Sequence, residues 1–233
     1  MENLRYLASL WRFWAALIIV GVGLAMFHRF APPQHNPWRP LSLDDPIGLA
    51  TYAKFTGLKY SPAACYAALD EAGVRYVRLE DEATGPDCGF RDALALEQSL
   101  TAYSAPVRLT CPMAAALYVW ERTAVQPLSI EMFGEASVRI ETYGAYSCRN
   151  IAGTRRRSEH ATANAIDIAG IRLADGRLIS VRTHWKNGGK EAAYLERLHD
   201  TACRLFSVTL GPDYNAAHED HFHFDFGSGD LCR

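Results

Sequence analysis

The chain has 233 residues, 49% of them hydrophobic, enough for one sizeable domain with a small subdomain. Net charge is −2, and beyond residue 40 there are 20 basic against 25 acidic side chains. That balance offers no electrostatic grip on a phosphate backbone, so nucleic acid is not an expected partner.

Phe13 to Phe27 contains no polar side chain. Arg5 and Arg12 precede it, and His28 and Arg29 follow. The run is shorter than the about 17–25 residues usual for a span. Arg12 and Arg29 can snorkel, however, and Trp11, Trp14 and Phe30 suit a membrane interface. The expected reading is a membrane anchor over residues 1–30. It would be single-pass in the inner membrane, with the C-terminal domain in the periplasm. The alternative is a cleaved signal, for which Gly23-Leu24-Ala25 is a poor small-x-small site because it lies inside the apolar run. Either case exports the domain.

Residues 31–47 read as a linker, with five prolines and the acidic pair Asp44-Asp45. Residues 48–106 read as a small α/β subdomain. In it, Ser61 as N-cap and Pro62 in the first turn open a helix that runs to about Ala72 and stops at Gly73. Val74 to Leu79 reads as a strand, 80–92 as a turn-rich loop, and 93–96 and 107–109 as short strands.

Residues 107–233 read as the main domain. Thr110-Cys-Pro112 opens a helix over Met113 to Thr123, and Val138 to Tyr143 alternates as a strand does. Ile166–Ile171 and Leu178–Val181 flank Asp175-Gly176, a hairpin signal. Apolar residues at 194, 195, 198, 202, 205 and 206 predict a helix over Lys190–Phe206. His221–Phe226 closes with a strand. Helices packed on a small antiparallel sheet make an α+β domain.

The six cysteines are Cys65, Cys88, Cys111, Cys148, Cys203 and Cys232. An even count in an exported domain points to disulfides, and the lack of Cys-x-x-Cys argues against a thiolate metal site. Short closing loops favour the sequential pairing Cys65–Cys88, Cys111–Cys148 and Cys203–Cys232.

The chemistry concentrates late in the chain. His160 precedes Asp167 by seven residues, and Asp220-His221-Phe222-His223 follows. Two imidazoles and one carboxylate form the ligand set of a catalytic metal whose fourth position stays open for water. In the closing strand His221, His223 and Asp225 share one face, and Phe222, Phe224 and Phe226 the other.

The pattern Ser158-x-His160-x-x-Ala163-x-Ala165-x-Asp167 with a late His resembles the zinc D-alanyl-D-alanine carboxypeptidases and peptidoglycan endopeptidases, which share a site with the Hedgehog amino-terminal domain. Ala163 stands where that pattern usually has Gly. More closely, Tyr143–Arg149, Ser158-Glu-His160, Gly211–Asn215 and His221-Phe-His223 resemble the bacterial extensin-like C-terminal domain family, over about residues 60–226. The resemblance implies Zn²⁺ held by His160, Asp167 and His223, and a Hedgehog/peptidase-like fold. It also implies hydrolysis of an amide bond in peptidoglycan peptide stems. Asp220 sits where carboxypeptidase-type relatives carry a Glu base, one methylene longer, and His221 matches the first His of the His-x-His endopeptidases. Either is the base or its orienter. Arg149 matches an Arg that binds a carbonyl oxygen or a carboxylate. Tyr214, Asn215 and His218 are candidates to line the cleft, whereas His184, Trp185 and His199 read as structural. The departures at Ala163 and Asp220 keep a second reading open: a catalytically inactive, metal-containing wall-binding module.

Overall fold

A computed structural model describes residues 2–233, with side chains from Leu10 onward. Arg5, part of the basic flank, lies outside the described side chains. The helices are α1 (Glu2–Phe30), α2 (Thr51–Leu58), α3 (Pro62–Glu71), α4 (Cys111–Trp120), α5 (Gln126–Phe133), α6 (Val181–His184) and α7 (Gly189–Ala202). The strands are β1 (Arg75–Arg78), β2 (Glu82–Gly85), β3 (Cys88–Phe90), β4 (Ala93–Gln98), β5 (Ala102–Tyr103) and β6 (Val107–Thr110). The later ones are β7 (Ser137–Gly144), β8 (Ala165–Leu173), β9 (Leu178–Ser180), β10 (Val208–Leu210), β11 (Phe222–Asp225) and β12 (Leu231–Cys232).

Leu10–Phe30 is a 21-residue stretch of α1 with none of its residues buried in the protein, long and apolar enough to cross a membrane. The helix therefore exceeds the uninterrupted apolar run because Leu10, Trp11 and Phe30 extend it at both ends. Segment 31–47 is laid along the body. Asn36 is buried and donates to the His28 carbonyl, and Leu43 enters the core. Lys54 of α2 reaches back to the carbonyls of Pro33 and Pro40.

The main sheet has seven strands in the order β12-β10-β11-β8-β7-β5, with β9 also pairing β8. It is larger than expected and mixed, because β12 and β5 join its two edges in parallel. Central β8 is a near-continuous buried run, Ala165–Leu173, as a strand covered on both faces must be. Its first half pairs with β11 and its second with β9. At Gly170 a Cβ would lie 2.5 Å from the Ile179 carbonyl oxygen, so β9 comes in close only because that residue is glycine. A second, three-stranded sheet β1-β4-β6 is joined to the first by one hydrophobic core. At the centre of that core Trp120 meets Phe224 edge to face and Phe206 stacks on Phe224.

Several local expectations change. The loop 80–92 contains the β2–β3 hairpin, turned through Asp87 at φ 58°. The helix over Met113–Thr123 does not stop there. It continues through a π-helical turn, Glu121–Val125, into α5. That wide turn absorbs Pro127, which has no N–H to give and would break a regular α-helix. Helix α7 ends at Ala202, so Leu205 and Phe206 reach the core from the turn that follows.

Disulfides join Cys65–Cys111, Cys88–Cys148 and Cys203–Cys232. The last matches the expected pairing; Cys65–Cys88 and Cys111–Cys148 do not form. Cys65 lies in α3, which packs against α4, and Cys111 opens α4. Cys88 lies in the β2–β3 hairpin, which folds onto the loop after β7. Locality is a weak guide because closure entropy grows only slowly with loop length.

Two predictions follow from this packing. Replacing Cys65 and Cys111 together by serine opens a 46-residue separation and should cost about 4 kcal/mol in chemical denaturation. The second concerns Glu121, which is fully buried and accepts from Thr101 N–H at 2.8 Å and Tyr103 O–H at 2.7 Å. Burial pushes its carboxyl up to about 7, against the pull of those hydrogen bonds. Its folded pKa is above its unfolded one, so the folded state gains proton binding. That contribution is full below the ordinary carboxylate range and is lost as pH rises through about 7. The denaturation midpoint should fall between pH 5 and 8, and fall less in Glu121→Gln.

Candidate metal centre

Three elements bring the site together. Ser158 caps the 3-10 turn Glu159–Thr162, its hydroxyl accepting from His160 N–H. Ala163 ends that turn at φ 56°, and β8 begins two residues later. This left-handed position explains why the motif usually has Gly. An Ala there costs about 1–2 kcal/mol. Its methyl is wholly buried beside Phe90 and Ala93, which returns about 0.8 kcal/mol.

Antiparallel β8–β11 pairing puts Asp167 directly opposite His223. The same register puts Ile168 opposite Phe222 and Ile166 opposite Phe224 on the core face. His160 then closes a triangle. Its Nε2 lies 3.1 Å from Asp167 Oδ1 and 3.1 Å from His223 Nδ1, which is itself 3.0 Å from Asp167 Oδ1. All three residues are buried, and they form a candidate metal-binding group.

The outer partners set the tautomers. His160 Nδ1 meets the Ala145 carbonyl, which only accepts, so Nδ1 carries the hydrogen and Nε2 a lone pair. His223 Nε2 faces Asp225 Oδ2 at 2.8 Å, which leaves the lone pair on Nδ1. Asp225 is held in turn by Gly227 N–H at 2.7 Å. In those tautomers two lone pairs and a carboxylate oxygen face one point, which a proton shared between His223 and Asp167 or a metal ion can fill. Such a triangle is relieved of the repulsion among its three acceptor atoms by a proton or a metal ion at its centre. Its edges are slightly below the about 3.3 Å set by tetrahedral bonds of about 2.0–2.1 Å, so the donor set fits a small divalent ion.

The titration behaviour shows the same pull. Burial opposes charge on both partners, yet hydrogen bonds from His160 and His223 hold Asp167 well below the ordinary carboxylate range. Against burial, Asp167 and Asp225 push His223 up to about 9. A proton and a metal ion compete for this point.

Around the triangle, Arg149 approaches Asp167 Oδ2 at 3.5 Å and is half exposed. His221 Nε2 lies 3.5 Å from Asp167 Oδ1, while its Nδ1 meets Asp220 Oδ1 at 2.9 Å. Asp220 Oδ2 pairs with Arg182 and lies 3.5 Å from Tyr143 Oη. The ring of His218 is 5.3 Å from that of His221 and 5.9 Å from that of His223. Burial, then the neighbouring His221 and His223, push His218 down to about 4. Asn215 caps the turn that carries His218, and Tyr214 packs edge-on against its ring. Trp185 and His199 pack on Phe222 in the core, as structural residues do.

All six expected site residues thus fall at one place. Sequence reasoning put Asp225 on the correct face without a role, and it did not single out Tyr143 or Arg182. Arg182 lies 38 positions from Asp220 and belongs to no motif. A second grouping, His199, Cys203 and Cys232, has its sulfurs committed to a disulfide and offers no thiolate.

The model of the extensin-like protein C-terminus family matches residues 63–233. The chain belongs to that family. No curated protein and no solved structure matches it. The match takes in every residue of this extensin-like protein's centre, together with all three disulfides.

Removing an outer partner should loosen the site. Asp225→Ala should weaken divalent-metal affinity about 10–100-fold, measured by competition with a chelating dye.

Proposed function

We propose that this extensin-like protein is a zinc-dependent hydrolase of amide bonds in peptidoglycan peptides, anchored by α1 and acting outside the cytoplasm. The observation that carries the reading is the convergence of His160 Nε2, Asp167 Oδ1 and His223 Nδ1, with the unbonded Nε2 of His221 beside them. Two imidazoles and one carboxylate leave a fourth position open, as catalytic zinc sites do and closed structural sites do not. Ligands from a loop and two sheet strands support kinship with the Hedgehog/peptidase fold. Three disulfides and an N-terminal apolar helix support an exported, inner-membrane-tethered domain.

When bound, the ion supplies Lewis acidity for a water and for the scissile carbonyl. The remaining work falls to side chains. Asp220 occupies His221 Nδ1, so His221 Nε2 is the free base and Asp220 its orienter. His221 takes a proton from the attacking water and returns it to the amide nitrogen as the C–N bond breaks. The products are one carboxylate and one amine. Arg149 keeps N–H groups free for the substrate oxygen that gains negative charge.

The test uses full-length protein in detergent. Parent protein should hold about one zinc per chain and release new amines from purified peptidoglycan, and His160→Ala/His223→Ala should do neither. His221→Ala should keep the metal and slow release about 10²–10⁴-fold. Wall binding without release by the zinc-loaded parent would sink the hydrolase reading in favour of a binding module.

A further inference from the structure

A second guanidinium, that of Arg182, pairs with Asp220 beside the site. We propose that Arg182 is a positioning residue: it holds the Asp220 carboxylate so that the carboxylate's other oxygen aims His221 at the ligand triangle. Only the kinetic part of the test rests on the hydrolase reading.

Asp220 lies in the turn just before β11, where no ladder hydrogen bond fixes it. Its two oxygens are engaged from different sides. Oδ2 takes Arg182 and lies 3.5 Å from Tyr143 Oη; Oδ1 takes His221 Nδ1 at 2.9 Å. The Tyr143 ring meets that of His221 edge-on at 5.8 Å, which limits how far the imidazole can swing. With Nδ1 held, Nε2 is left 3.5 Å from Asp167 Oδ1, beside the point where the three ligand atoms meet.

Charge supplies a second reason for Arg182. Asp167 and Asp225 already bring two carboxylates to this spot. An unpaired third, Asp220, would compete with the triangle for a cation. Pairing it with Arg182 leaves it able to accept from His221. The reach of Arg182 depends on the fold: it is the second residue of α6, which follows β9 directly, and β9 lies against β8 only because Gly170 leaves room.

Stability does not account for the ion pair. The Arg182 side chain is 66% exposed, and surface pairs of this kind contribute little to folding. Losing Arg182 should therefore affect the orientation of His221 and not the fold.

The experiment compares full-length parent, Arg182→Gln and Arg182→Lys in detergent, each loaded with zinc. Arg182→Gln should lower kcat about 10–100-fold with KM changed less than about twofold. Zinc content and melting temperature should be unchanged, and Arg182→Lys should recover most of the loss. Nitrogen-15 NMR of the imidazoles supplies a readout without turnover. His221 should carry its hydrogen on Nδ1 in the parent and on a mixture of nitrogens in Arg182→Gln. A rise in KM at constant kcat would make Arg182 a substrate-binding residue and overturn the proposal. So would unchanged kinetics with an unchanged tautomer, or a lowered melting temperature that lysine does not restore. If the zinc-loaded parent releases no amine, the hydrolase reading fails by itself and the NMR comparison decides. In that case, His221 protonated on Nε2 in the parent overturns the positioning role.

Discussion

The pairing of β8 with β11 is the constraint on which the rest of the structure depends. One antiparallel register sets Asp167 against His223 and, on the opposite face, Ile168 against Phe222 and Ile166 against Phe224. Shifting either strand by one residue would turn the phenylalanines toward the site and bury the imidazoles in the core. The aromatic cluster around Trp120, Phe206 and Phe224 therefore anchors the ligand geometry as well as the fold. A site built on central strands is held more precisely than one carried by loops alone.

His160 is the exception, arriving from a loop, and that loop is correspondingly tied. Ser158 caps its turn, the Ala145 carbonyl fixes its ring, and Ala163 ends the turn in a conformation that few residues adopt. The Cys88–Cys148 disulfide clips the neighbouring segment to the β2–β3 hairpin one residue before Arg149. The β2–β3 hairpin is a two-stranded piece, and such pieces have little stability alone. Through that disulfide it holds the segment leading into Arg149.

Buried charge is handled in two contrasting ways. At the centre, Asp167 stays charged because the imidazoles of His160 and His223 face it. Behind β7, Glu121 has only neutral donors, Thr101 and Tyr103, so burial keeps its proton on to about 7. The first arrangement offers candidate ligands to a cation. The second ties α4 and its π turn to the sheet edge at β5 without requiring one.

Much of this was legible in the chain itself. Period-two alternation in His221–Phe226 separated the ligand face from the core face, and Asp175-Gly176 marked the hairpin between β8 and β9. Seven-residue spacing singled out His160 and Asp167, and the family motifs carried Arg149, Asp220 and His221 to the same place. These features are local, and local geometry follows from residue type and spacing. Tertiary structure alone decided which cysteines pair, because helix packing brings Cys65 to Cys111 across 46 positions. It also decided the tautomers of His160 and His223, since Ala145 and Asp225 become their partners only in the folded sheet. Arg182 was invisible in the sequence for the same reason: its partner Asp220 becomes a neighbour only when β9 docks on β8.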